Sequence, residues 1–110
     1  MEYQKGFDHT NTTDAETTII SVSSTSEEPK TIVAIAIIKD INAGILRAYH
    51  EREKITEDIP TLNITESNFA EIPVGLEIPI GDVFKLTLHN KLAGTNAGIQ
   101  GFVKWKITGT

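Results

Sequence analysis

Ten residues from Lys30 to Lys39 constrain the fold of this chain more than any other segment. They read Lys-Thr-Ile-Val-Ala-Ile-Ala-Ile-Ile-Lys, and Thr31, Ile32, Val33, Ile35, Ile37 and Ile38 are all β-branched. Branching at Cβ restricts χ1 against the preceding turn of a helix and suits a pleated surface, so the run predicts a strand. Its apolar residues are continuous instead of alternating, which places the strand centrally with both faces covered. The uninterrupted stretch Ile32 to Ile38 is far short of the roughly 20 residues that a membrane helix needs.

The rest of the chain falls into similar short units. Thr17 to Ser24 is rich in β-branched residues with no helix cap before it, and Thr25-Ser26-Glu27-Glu28-Pro29 is a turn cluster. Asp40-Ile41-Asn42-Ala43-Gly44 suits a hairpin loop. The segment from Ile45 to Ile55 fits either a strand or a helix, since it holds good helix formers. The hairpin turn before it and the lack of a strong N-cap favour the strand. Thr61 to Thr65 alternates Leu62 and Ile64 with polar residues, Glu66-Ser67-Asn68 is a turn, and Phe69 to Ile72 returns briefly. Pro73, Gly75, Pro79 and Gly81 make Glu77 to Ile80 an edge strand or an extended connection. Val83 to Asn90 alternates Phe84, Leu86 and Leu88 with Lys85, Thr87 and His89. Gly101 to Thr108 sets Val103, Trp105 and Ile107 against Phe102, Lys104 and Lys106.

Seven to eight short strands with little or no helix predict an all-β single domain, a β-sandwich or jelly roll. The expected core is Ile20, Val22, Val33, Ile35, Ile37, Leu62, Ile64, Phe84, Leu86, Leu88, Val103, Trp105 and Ile107. A chain of 110 residues without cysteine must hold that core by packing alone, and it has no thiolate metal site or cysteine nucleophile. Asn42-Ala43-Gly44-Ile45 recurs as Asn96-Ala97-Gly98-Ile99, a reuse of turn chemistry and not a duplication.

Charge divides the chain. Residues 1–28 carry six acids against Lys5 alone, residues 29–110 balance nine acids with nine bases, and beyond Asp82 only lysines occur. Residues 1–16 hold few apolar side chains besides Tyr3 and Phe7, and are expected to form a polar, acidic N-terminal arm ahead of a sandwich domain over 17–110. Such an arm is either a solvated tail or a segment docked on a basic surface, its own or a neighbour's. Tyr3 and Phe7 are the expected anchors, and Lys85, Lys104 and Lys106 the expected basic strand face. A pI near 5.1 and only two arginines, Arg47 and Arg52, disfavour duplex nucleic acid as a partner. No basic stretch precedes an apolar one at the start, so neither a secretory signal nor a membrane partner is expected.

Catalytic signatures are absent from the sequence. His9, His50 and His89 have no metal-ligand spacing and read as arm or strand-face residues. Acids such as Glu51, Glu71 and Glu77 are too common to single out a glycosidase pair. No serine sits in a nucleophile elbow, and Gly94 to Gly98 lacks the lysine of a phosphate loop. The sequons at Asn11 and Asn63 read as chance. Trp105 shares a face with Val103 and Ile107 and reads as core, with a carbohydrate-stacking platform as the alternative. The chain is therefore expected to be no enzyme and to need no cofactor.

Ile80-Gly81-Asp82-Val83-Phe84-Lys85-Leu86-Thr87-Leu88-His89-Asn90, followed by a small-residue loop and Gly101-Phe102-Val103-Lys104-Trp105-Lys106-Ile107, resembles the closing strands of small phage and virus coat-type β-sandwiches of the single jelly-roll kind. The resemblance spans about a quarter of the chain and is one of pattern. It implies a non-catalytic assembly subunit of a coat or decoration layer, in a virion or the cytoplasm. Its partners would be its own copies or other shell proteins, reached through the arm. The acidic arm departs from the basic arms of many such coats, which speaks against genome packaging. The alternative is a ligand-binding β-sandwich module of the carbohydrate type.

Overall fold

The structure is a computed structural model and describes residues 2–11, 16–41, 44–55, 59–61, 70–89 and 97–109. Among these residues every regular element is a strand: β1 (Glu2–Asn11), β2 (Glu16–Ser23), β3 (Lys30–Ile41), β4 (Gly44–His50), β5 (Glu53–Lys54), β6 (Ile59–Thr61), β7 (Ala70–Ile78), β8 (Val83–His89) and β9 (Ala97–Ile107). The segment after Ile45 is the expected strand, ending in a tight turn at Glu51 and Arg52. It is no hairpin return, however: β3 and β4 lie in different sheets, and β4 pairs with β8, β5 and β6.

All pairing is antiparallel, and its order is informative. β1 pairs with β9, β2 with β8, β3 with β7, and β4 with both β5 and β6, so the first strand meets the last and the match continues inward. Further pairing of β9 with β3 and of β8 with β4 gives one sheet ordered β1-β9-β3-β7 and another ordered β2-β8-β4-β5. A long antiparallel ribbon wrapped into two facing sheets is the jelly-roll form of the β-sandwich.

The inner faces carry the core. Ile20 and Val22, Ile32, Ile35 and Ile37, Leu46 and Ala48, Ile78, Phe84, Leu86 and Leu88, and Ile99 and Val103 are buried there. Trp105 is only partly buried against the cluster, as are Ile72, Val74 and Leu76, and Ile107 is half-buried. Leu62, Ile64, Asn42, Ala43, Phe69 and residues 90–96 lie outside the described residues.

Three further expectations need correction. Residues 2–11 are not a separate arm. They form edge strand β1, paired residue for residue with β9 of the same chain, which sets Glu2 opposite Lys106 and Gln4 opposite Lys104. The acidic front end thus docks on the chain's own basic tail end, and Glu16 already belongs to β2. Val33 is not a core residue. The registers shift between Ile32 and Ala34, so Ile32 points inward before the irregularity and Ile35 and Ile37 after it. The two brief segments expected around Pro73 are one nine-residue strand, β7, which accepts the proline because it lies at the sheet edge.

Candidate functional site

β1 brings the sequence's two arm aromatics to different fates. Phe7 is 7% exposed and belongs to the core, so it anchors β1 to its own sandwich and not to a neighbour. Tyr3, on the same face four residues earlier, remains 40% exposed. Its ring stacks on Trp105, which lies opposite in the register, with centroids 6.2 Å apart and planes 20° from parallel.

Behind this pair the edges of the two sheets leave a cleft of about 280 Å³ lined by Lys5, Ser21, Val22, Ser23, Lys30 and Trp105. Lys30 is itself buried and donates from Nζ to the carbonyls of Ser23 (2.7 Å) and Glu28 (3.2 Å). A second hollow of about 350 Å³ lies on the outer side of β1, bounded by Glu2, Tyr3, Gln4, Phe102 and Lys104. An aromatic wall beside hydroxyls and ammonium groups can stack a sugar ring and bond its hydroxyls.

The expected basic strand face is divided. Lys85 stands on β8, between the inward Phe84 and Leu86, and therefore on the outer face of the second sheet; its Nζ lies 5.4 Å from the centre of the Tyr49 ring. Lys104 and Lys106 stand on β9, on the outer face of the first sheet. Lys104 donates to Glu71 at 2.9 Å, and that hydrogen bond raises its pKa. Two sheets facing opposite ways cannot present these three lysines as one patch.

Sequence reasoning missed a polar network on the outer face of the second sheet. Arg47 of β4 donates to one carboxylate oxygen of Glu16 on β2, and the Tyr49 hydroxyl donates to the other at 2.8 Å. Arg47 also reaches His89 Nδ1 of β8 at 3.4 Å. Burial pushes the Glu16 carboxyl up, but the bonds from Tyr49 and Arg47 outweigh it and hold its pKa below the ordinary value. Thr87 beside it also lowers that pKa, although its buried Oγ1 makes no hydrogen bond of ordinary geometry. With both Glu16 oxygens engaged, the network ties β2, β4 and β8 together.

At one end of the sandwich His50 Nε2 lies 2.7 Å from Asp82 Oδ2, and Glu51 accepts the Val83 N–H through Oε1. A His–Asp pair is the orienting half of a hydrolytic triad. The serine of this end, Ser24, is buried and its Oγ already accepts the Lys30 N–H at 2.8 Å. Among the described residues no three His, Asp or Glu side chains converge as a metal site. The pairing of His50 with Asp82 had no signal in the sequence beyond the presence of both residues, 32 positions apart.

No family model, curated protein or solved structure matches this chain.

Proposed function

We propose that this chain is a non-catalytic structural subunit that self-associates, a small coat or decoration protein of a virus-like shell. The observation that carries the reading is the edge formed by β1. Ten residues, Glu2 to Asn11, pair with β9 without a register shift and without proline. Natural sheets blunt exposed edges with prolines, bulges, very short strands or charged side chains, and of these devices β1 has only the charges, Lys5 among them. The other edges follow that rule among the described residues: β7 holds Pro73 and an irregular register, β2 shifts register between Thr18 and Ile20, and β5 has two residues. A long regular edge left open is a template for another strand. The jelly-roll strand order is compatible with this reading, being a form of coat subunits as well as of lectin domains.

Light scattering over a wide concentration range tests this reading. Self-association into a defined oligomer is expected, and a strict monomer throughout would overturn it.

The stacked Tyr3–Trp105 pair, whose Trp105 lines a cleft with Lys5, Ser21 and Ser23, favours a second reading, a carbohydrate-binding module. Trp105 is the sole tryptophan, so its emission should shift on titration with a matching oligosaccharide. Unchanged emission across a broad panel of glycans would remove this reading.

A further inference from the structure

We propose that two copies of this chain join through β1, antiparallel about a two-fold axis at Gly6. The inference rests on the self-association reading and assigns its interface. Among the described residues β1 has β9 on one side and no strand on the other, so its second row of backbone groups faces outward from the sheet. A second copy can satisfy that row by main-chain pairing, and a two-fold arrangement closes the contact without propagating a fibre.

The side chains select the register. Phe7 points inward, so Tyr3, Lys5 and His9 share its side, and Glu2, Gln4, Gly6, Asp8 and Thr10 lie on the outer side. A two-fold axis perpendicular to the sheet keeps inner faces inner, so residues directly opposite must come from the same side. The axis therefore passes through a residue and not between two. An axis at Lys5 would set Lys5 against itself and Glu2 against the partner subunit's Asp8, both repulsive. An axis at Phe7 would set Lys5 against the partner subunit's His9 and leave Glu2 without a paired position. An axis at Gly6 sets Gln4 opposite the partner subunit's Asp8, Glu2 opposite the partner subunit's Thr10, and Lys5 opposite the partner subunit's Phe7. No like charges meet. Tyr3 then gains the partner subunit's His9 as its cross-strand neighbour, covering the exposed aromatic. This pairing extends the four-stranded sheet into a continuous eight-stranded one across the interface.

The chain has no cysteine, which makes the test clean. A Cβ built at Gly6 would have its nearest neighbour, the Gly101 carbonyl oxygen, at 3.7 Å, so Gly6→Cys fits the fold. Mild oxidation of Gly6→Cys should yield a disulfide-linked dimer that reductant reverses. Gln4→Cys should not cross-link, because positions 4 of the two copies stand about 13 Å apart along the strands, beyond disulfide reach. Charge supplies a second arm. Gln4→Asp faces the partner subunit's Asp8 twice per dimer and should weaken association about tenfold. Gln4→Lys should strengthen it by a similar factor, even though Lys104 beside it on the same chain lowers the melting temperature of the subunit. A subunit effect alone would move association the other way. An oligomer that fails to cross-link at position 6, or cross-links equally at position 4, overturns this interface while leaving self-association standing. A wild-type monomer at every concentration overturns both.

Discussion

Phe7 and Gly101 stand opposite each other across β1 and β9, and the aromatic ring occupies the space a side chain at 101 would need. A Cβ on Gly101 would lie 2.8 Å from the Phe7 Cζ and 2.0 Å from the Ala36 carbonyl oxygen. An aromatic laid over a strand glycine covers backbone that would otherwise lie bare, and here it seals the edge strand to the core. This contact turns a polar N-terminal segment into part of the sandwich.

Gly101→Ala is accordingly expected to destabilise the fold by about 3 kcal/mol, at the upper end for overpacking, because the nearest obstacle is backbone. Phe7→Ala should cost about 3 kcal/mol through loss of its buried ring. The double variant should not recover, since removing the ring leaves the Ala36 oxygen in place. Urea denaturation of the three variants measures this. A Phe7→Ala protein as stable as the parent would mean that the Phe7 ring does not fasten β1 to the core.

The Glu16 network gives stability a definite pH dependence. Its carboxyl titrates below the ordinary value of 4.5 in the folded chain, so the unfolded chain binds its proton first as pH falls. The stabilisation is complete above that value and is lost as pH drops through the lower folded one. Glu16→Gln should therefore be less stable than the parent at pH 7, with the gap closing towards pH 3. Tyr49 works at the other end. Burial and its bond to Glu16 raise its pKa above 10.0, so its contribution is complete below pH 10 and is lost as pH rises through the folded value. Tyr49→Phe should flatten that alkaline limb in denaturation measured against pH.

A buried lysine holds the β2–β3 connection. Lys30 supplies protons to the Ser23 and Glu28 carbonyls, and its N–H is accepted by Ser24 Oγ. Lys30→Met keeps the apolar stem but leaves two carbonyls without that donor, and is expected to cost about 1–3 kcal/mol. Ser24→Ala should cost about 1–2 kcal/mol by removing the acceptor of the Lys30 N–H. Thermal melts of both variants check the pair, and unchanged melting temperatures would show that water replaces these bonds without loss.

Fold class was legible because strand signals are local. Phe84, Leu86 and Leu88 alternate cleanly, and β-branching marks β3 in the sequence alone. The fate of residues 1–16 was not legible, because it depends on pairing Glu2 with Lys106, more than 100 positions away. A segment with only two aromatics cannot order itself, but added to a finished sheet edge it gains main-chain bonds and a seat for Phe7. The candidate sites were hidden for the same reason. Tyr3 and Trp105 become one platform, and Lys85 parts from Lys104, only through strand order. Trp105 was read as core from its parity, which is right for its face but blind to its place at the open margin of the sandwich.

Parity also failed at Val33, where β3 is irregular against both of its neighbours. Between the pairs Ile32–Leu76 and Ala34–Pro73, one residue of β3 stands against two of β7, and Gly75 there adopts φ 63°. Against β9, the pairs Ile32–Trp105 and Ala34–Lys104 leave Val33 as an extra residue of β3 itself. This bulge lets Ile32 and Ile35 both face the core despite their odd separation, where a strict alternation fails. A Cβ at position 75 would meet nothing within 4 Å, which leaves backbone conformation as the whole cost of substitution. Gly75→Ala is expected to lose about 1–2 kcal/mol, the usual penalty of left-handed backbone for a residue with a Cβ. Gly75→Asn should lose less, because asparagine tolerates that region. Equal losses for Ala and Asn would point to packing instead of backbone. No loss for either would mean that the irregularity does not depend on a left-handed residue at position 75.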